Sequence, residues 1–88
     1  MIALIKQVDR FTETNIDDEI VVMRLDSGDF FSLADTAAAA WRLIDGTRDR
    51  AALIEELAAQ FDADEAEIAA DLDEFLARLK EQGLVATA

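Results

Sequence analysis

The side chains of this 88-residue chain that could do chemistry are mostly carboxylates. The sequence contains 20 Asp and Glu residues, no His and no Cys. Without His and Cys, neither a Ser-His-Asp nor a Cys-His catalytic site can be built, and a zinc site of the usual ligands is excluded too. A carboxylate site is the remaining kind. The composition therefore predicts a protein that is not an enzyme and that carries no metal and no cofactor.

Two groups of carboxylates have spacings that could indicate a metal site or a catalytic pair. Asp62 and Asp64 resemble the start of a calcium loop, but Ala66 stands where the third ligand belongs and Glu67 where the glycine belongs. We expect these two aspartates to cap the following helix instead. The second group lies on the polar side of a predicted helix, where a solvated surface is expected rather than a catalytic pair. Its members are Glu67, Asp71, Asp73 and Glu74.

The net charge of −12 limits the classes of partner. Residues 55–81 hold ten acids and only two bases, Arg78 and Lys80. A phosphate backbone would be repelled, so nucleic-acid binding is excluded, and an anionic membrane is disfavoured for the same reason. A basic peptide or protein is the favoured partner. Solubility alone is the alternative explanation of the charge.

Features that would direct the chain out of the cytoplasm are missing from the sequence. The lack of Cys fits a reducing compartment. No apolar run approaches the roughly 20 residues that a membrane span needs, and residues 1–6 do not resemble a signal peptide. We expect a cytoplasmic protein that forms one domain over residues 1–88.

Strand patterns occupy the first part of the chain. We expect strands over about 10–14, 20–25 and 30–33, with a hairpin loop at 26–29 that uses Gly28. Because Arg24 should face water, the second strand is predicted to direct alternate residues into the core. Those residues are Val21, Met23 and Leu25.

The third strand, Phe30 to Leu33, is expected to lie at the edge of the sheet. Alternation places Phe31 and Leu33 on one face, with Phe30 and Ser32 on the other. One phenylalanine belongs in the core, and the other is predicted to be open to a partner. An exposed edge strand can accept a strand from another chain.

Helical patterns occupy the rest of the chain. We expect a first helix that Asp35 or Thr36 caps and Gly46 ends, a second that Thr47 or Asp49 caps, and a third over residues 65–82. Apolar stripes at helical spacing form their inner faces. These are Ala37, Ala40, Trp41 and Ile44; Leu53, Ile54, Leu57, Ala58 and Phe61; and Ile68, Ala69, Leu72, Phe75, Leu76 and Leu79. The fold class is therefore α+β: a three-stranded antiparallel sheet followed by three helices, like a winged helix-turn-helix with its strands at the front.

The order of these patterns resembles the PqqD-like family. The paired strands over residues 21–33 are followed by Trp41 to Gly46, by a helix with Leu53 and Leu57, by the acidic joint at 62–64 and by a terminal segment at 83–85. The resemblance covers about residues 10–85. It implies a precursor-peptide recognition element, a domain without catalytic function that binds the leader segment of a ribosomally made peptide and delivers it to a modifying enzyme.

The resemblance also implies the positions that bind the leader. The leader would add as a strand beside residues 29–33 and pack against the third helix. The implied contacts are Asp29, Phe30, Phe31, Ser32 and Leu33 on the strand, and Leu72, Phe75, Leu76 and Leu79 on the helix, with Asp71 or Arg78 at the edge.

Two pathways and one competing class stay open. The free-standing format and Trp41 are most similar to the lasso-peptide branch, in which the partner is a leader protease. The alternative is pyrroloquinoline quinone assembly, in which a similar protein presents its precursor to a radical SAM enzyme. The competing class is a small acidic structural protein that forms a homodimer through its edge strand.

Overall fold

The structure is a computed structural model that describes residues 3–87. The predicted domain limits, Met1 and Ala88, lie outside the described residues. Within them, a three-stranded antiparallel sheet precedes three helices, which confirms the predicted α+β fold. The elements are β1 (Leu4–Lys6), β2 (Phe11–Ile16), β3 (Glu19–Arg24), β4 (Phe30–Leu33), α1 (Asp35–Leu43), α2 (Arg50–Phe61), α3 (Glu65–Glu81) and β5 (Val85–Thr87).

The main sheet has the strand order β2-β3-β4, so β4 lies at an edge as predicted. β1 and β5 form a separate antiparallel pair that the sequence did not predict. Leu84 and Val85 are both buried, and Val85 begins β5 and pairs with Lys6. The segment that follows α3 thereby lies beside β1, the first strand of the chain.

The predicted orientation of β3 is wrong. Ile20 and Val22 are fully buried and form the inner face, which packs against the helices. The opposite face of the strand carries the three residues predicted for the core, Val21, Met23 and Leu25.

The contacts of Arg24 explain why the predicted orientation of β3 is wrong. Its guanidinium lies on the inner side of the sheet, at the end of the strand, and donates to Gln82 Oε1 at 2.8 Å and to Asp26 Oδ2 at 2.7 Å. These partners satisfy the charge beside the core. Arg24 therefore does not mark the solvent face.

The ends of α1 differ from the prediction. Ala34 is the N-cap residue and makes no side-chain bond, while Asp35 and Thr36 lie inside the helix. The helix ends at Leu43, and Gly46, three residues later, donates its N–H to the carbonyl of Leu4. A strand that runs directly into a helix leaves no room for a longer capping loop.

The starts of α2 and α3 agree with the prediction at Asp49 and Asp64, whereas Asp62 does not cap α3 and is instead the C-cap residue of α2, with a left-handed backbone φ of 49°. Asp49 accepts a hydrogen bond from the Ala52 N–H, and Asp64 accepts one from Ala66. These aspartates satisfy free N–H groups in the first turn of each helix. Phe61, predicted for the core, is 41% exposed at the last turn of α2.

Trp41 is the largest fully buried side chain of the core. Its ring meets Phe11 edge-on, with centroids 5.2 Å apart, and Lys6 Nζ lies 4.6 Å from its centroid. Burial lowers the pKa of the Lys6 ammonium, an effect that the carboxylates of Glu13 and Asp45 oppose. Trp41 thus joins α1 to β1 and β2.

Candidate functional site

The free edge of β4 presents main-chain groups from alternate residues. The Arg24 N–H donates to the Asp29 carbonyl at 2.8 Å, which sets the phase of hydrogen bonding between β3 and β4. Phe31 and Leu33, which lie opposite Val22 and Ile20, therefore direct their N–H and C=O groups toward β3. The main-chain N–H and C=O groups of Phe30 and Ser32 therefore point outward, away from β3.

The side chains of β4 alternate as the sequence predicted. Leu33 is buried, Phe31 is half-buried, and both contribute to the core side of the sheet. Phe30 and Ser32 are exposed, Phe30 to 71%. The outward main-chain groups of β4 thus belong to residues whose side chains lie on the solvent face.

An apolar cavity of about 220 Å³ opens beyond the C-terminal end of β4. Phe75 and Leu72 of α3 line one side, and Ala37 at the start of α1 lines the other. Asp71 also lines the cavity and is exposed, so it stands at the rim. The full lining is Thr36, Ala37, Ala40, Leu57, Ile68, Asp71, Leu72 and Phe75.

An open trough of about 490 Å³ lies at the other end of β4. Asp29, Phe30 and Phe31 form its strand side, and Gln82, at the end of α3, forms its helix side. The trough and the cavity therefore lie at opposite ends of the same strand.

One face of α3 extends between the trough and the cavity. Four residues recur at helical spacing along this face. They are Asp71, Phe75, Arg78 and Gln82. We call the free edge of β4, the trough and the cavity together the β4–α3 groove. It offers main-chain groups on one side and an apolar cavity at one end.

Two of the predicted helix contacts lie outside this groove. Leu79 is 2% exposed and belongs to the core. Leu76 is buried and lines a different hollow, together with Arg50 and Asp73. The structure therefore places Asp29, Phe30 and Phe31 at the trough and Asp71, Leu72 and Phe75 at the cavity. Ser32, Leu33 and Arg78 line neither of these two hollows, and neither do Leu76 and Leu79.

The sequence did not predict the α1 side of the cavity. Its patterns give only a capping role to Thr36 and core positions to Ala37 and Ala40, which line the cavity. Because α1 begins one residue after β4, its first turn must stand at the end of the edge strand. The small alanines opposite Phe75 leave the space open. A run of alanines directly after an edge strand was the available signal.

Arg24 holds the side chains of Asp26 and Gln82 in place at the trough end of β4. The guanidinium joins Asp26, in the loop before β4, to Gln82 at the end of α3. Its hydrogen bond lowers the pKa of the exposed Asp26 carboxyl below the usual value. Arg24 therefore ties the β3–β4 loop to the helix that borders the groove.

Among residues 3–87, no three acidic or metal-binding side chains are grouped so that they could hold a metal ion. None of the helices in the described range has the length and apolar character needed to span a membrane.

Comparison with known proteins yields one family and one solved structure. The family model described as coenzyme PQQ synthesis protein D (PqqD) matches residues 19–85. The solved structure of TbiB1 in complex with the TbiA(beta) leader peptide is similar, with a TM-score of 0.80 and 26% sequence identity. That match covers 88% of this chain and 90% of the other. No curated protein matches the chain.

Proposed function

The chain belongs to the PqqD family, and we propose that it is a single-domain adaptor without catalytic function that binds the leader segment of a ribosomally made precursor peptide. The leader adds as a strand to β4 and is delivered to a modifying enzyme. The observation that carries the proposal is the free edge of β4 beside the apolar cavity. The similarity to TbiB1, a protein solved with a leader peptide, supports it.

Main-chain pairing alone cannot supply the affinity. Phe30 and Ser32 offer two N–H donors and two C=O acceptors at the edge, so at most four bonds form with an added strand. At about 0.5–1.5 kcal/mol each, these contribute about 2–6 kcal/mol. Association itself costs about 4–15 kcal/mol. Side-chain anchors must therefore provide the remainder.

The cavity is the place for such an anchor. Its lining is almost entirely apolar, and burial of one Leu- or Phe-sized side chain contributes about 1.5–3 kcal/mol. Asp71 at the rim favours a Lys or Arg near that anchor. We therefore propose a leader with a large apolar residue at the cavity and a basic residue beside it. Strand pairing sets the register, and the cavity selects the sequence.

The leader protease of a lasso-peptide pathway is the modifying enzyme that we propose first. Trp41 favours this branch. A radical SAM enzyme of pyrroloquinoline quinone assembly is the alternative, and the name of the matching family favours it. Processing of the bound precursor by each purified enzyme would distinguish the two pathways.

Self-association through the same edge is the competing explanation. Two copies paired along β4 would form a homodimer and hide the Phe30 and Ser32 amides. In that case peptide and dimer compete, and dilution of the protein raises the apparent affinity for the peptide.

Amide NMR during a titration with candidate leader peptides tests the proposal. We expect the amides of Phe30 and Ser32 to shift and to become protected from exchange, while the amides of Phe31 and Leu33 are already protected within the sheet. Binding that leaves the Phe30 and Ser32 amides unchanged would overturn the strand-addition model. A linked measurement of sedimentation at several concentrations separates peptide binding from dimer formation.

A further inference from the structure

The face of the main sheet that points away from the helices carries a cluster of apolar side chains on β3 and β4, bordered by Thr12, Thr14 and Ser32. Val21 and Met23 of β3 lie on it, Phe30 of β4 lies opposite Met23, and Leu25 follows at the end of β3. Phe30 is 71% and Leu25 is 55% exposed. A sheet with one solvated face normally alternates apolar and polar residues. We call these four residues the outer face.

Leader binding in the β4–α3 groove does not account for the outer face. An added strand lies beyond β4, and neighbouring strands are about 4.8 Å apart, so Met23 on β3 is about 10 Å from the leader backbone. Phe30 could touch the leader from β4, but Val21 and Met23 belong to the middle strand. The apolar character of β3 on this side needs another reason.

Charge around the outer face indicates the chemistry of its partner. Residues 9–33 contain seven acids and two bases, Arg10 and Arg24. Arg24 is already paired with Asp26 and bonded to Gln82, while one of the acids, Glu13, is bonded to Trp41 on the core side. Arg10 lies beside Leu25, so the remaining surroundings of the outer face are acidic except at that end. A second copy of this chain would bring two acidic rims together, which opposes association. An apolar surface bordered by Lys and Arg is complementary to it.

We propose that the outer face docks the modifying enzyme, through an apolar patch of the enzyme with a basic rim. This inference rests on the proposed function, because it names the surface that delivers the leader. The leader and the enzyme would then occupy different sides of β4, the leader at its edge and the enzyme over its exposed side chains. Both can be bound at once.

The test uses Met23→Thr and Met23→Lys, because Met23 lies in the outer face but away from the groove. Its probes are the two enzymes named in the proposed function, a purified lasso-peptide leader protease and a purified radical SAM enzyme, each titrated against this protein. We expect the enzyme Kd to rise about tenfold for Met23→Thr and more for Met23→Lys, because a Lys repels a basic rim. The Kd for the leader should stay within about twofold, as both sites are separate. Val8→Thr, which changes an apolar residue with 72% exposure outside the outer face, is the control and should leave both values unchanged.

The outcomes separate this inference from the proposed function. Unchanged enzyme affinity in folded Met23 variants, or no enzyme binding to the unaltered protein, overturns the docking surface. Equal losses of leader and enzyme affinity also overturn it, since one shared site would then be indicated. A protein that binds the enzyme through Met23 but binds no leader refutes the proposed function and leaves the docking surface standing. Circular dichroism and urea unfolding of each variant identify any loss of folding.

Discussion

The indole Nε1 of Trp41 donates a hydrogen bond of 2.8 Å to Oε1 of Glu13. Trp41 is fully buried, so Glu13 provides the acceptor that its N–H would otherwise lack. The bond also ties β2 to α1. A carboxylate on a strand that is otherwise exposed thus has a role in the core.

Replacement of Glu13 should show how much this hydrogen bond contributes to the free energy of unfolding. We expect Glu13→Ala to lower the free energy of unfolding by about 1–3 kcal/mol, because the buried indole N–H loses its acceptor. Glu13→Gln keeps an amide oxygen at that place and should cost less. Urea unfolding at pH 7 measures both, with Glu55→Ala on the exposed side of α2 as the control. Equal losses for the Gln and Ala variants would contradict the role of the hydrogen bond.

Proline at Ser32 should weaken leader binding without unfolding the protein. The Ser32 N–H points outward, so its loss leaves the β3–β4 ladder intact and proline is tolerated at such an edge position. The missing donor and the pyrrolidine ring should raise the Kd for the leader about tenfold. Fluorescence anisotropy with a labelled leader measures this.

The opposite edge of the sheet supplies the matched control for Ser32→Pro. The Leu25 N–H bonds to the Arg10 carbonyl, so the N–H of Asn15 on β2 also points outward. Asn15→Pro should leave the leader Kd unchanged. Leu33→Pro removes a donor that faces β3 and should destabilise the fold. Equal weakening by Ser32→Pro and Asn15→Pro would argue against pairing at β4.

A larger side chain at Ala37 should block the cavity. Ala37 is half-buried at its α1 side, and leucine is a good helix former, so Ala37→Leu should not lower the free energy of unfolding. Loss of an anchor site worth about 1.5–3 kcal/mol should weaken leader binding roughly tenfold to a hundredfold. Isothermal titration calorimetry gives the Kd, with Ala59→Leu on the exposed side of α2 as the control. Undiminished affinity of a stable Ala37→Leu protein would show that the leader does not use this cavity.

Arg50 and Asp73 form a two-bond ion pair between α2 and α3, with N–O distances of 2.6 and 2.9 Å. The hydrogen bond from Arg50 lowers the pKa of the Asp73 carboxyl. Because this pKa is lower in the folded state, the stabilisation is present above the pKa of the unfolded chain and is lost as the pH falls through the lowered value. Solvent exposure of both groups keeps the effect small.

Carboxyl NMR titration checks this pair directly. In Arg50→Gln, the pKa of Asp73 should rise toward its ordinary value. The pKa of Asp45, which hydrogen bonds from Thr47 lower, should not change. An Asp73 titration that is the same in both proteins would show that the ion pair does not form in solution.

The parts of the fold that depend on local patterns could be predicted from the sequence. Asp49 and Asp64 mark helix starts because a cap needs only a short polar side chain and the next turn of chain. The edge strand Phe30–Leu33 could be recognised because a loop with Gly28 precedes it and a helix follows directly. Gly28 adopts a φ of 75°, which glycine tolerates at this turn.

The remaining parts depend on contacts between distant residues. Residues 20–23 are all apolar, so alternation alone could not show that Ile20 and Val22 face the core. The strands β1 and β5 have three residues each and exist only because they pair with each other. The cavity is lined by three helices, and no stretch of the sequence contains more than part of it. The groove therefore emerged only with the tertiary structure.

The alternation of β4 has a kinetic consequence. The outward main-chain groups of β4 point along the plane of the sheet, whereas the Phe30 side chain projects out of that plane. One four-residue strand therefore presents contact groups in two different directions. A leader held at the edge would not have to leave before an enzyme arrives at the outer face. Such a tethered substrate meets the enzyme at an effective concentration that can reach the order of millimolar. In that arrangement, the rate of processing would depend on the fraction of the adaptor that is loaded with precursor, and not on a separate encounter between free precursor and enzyme.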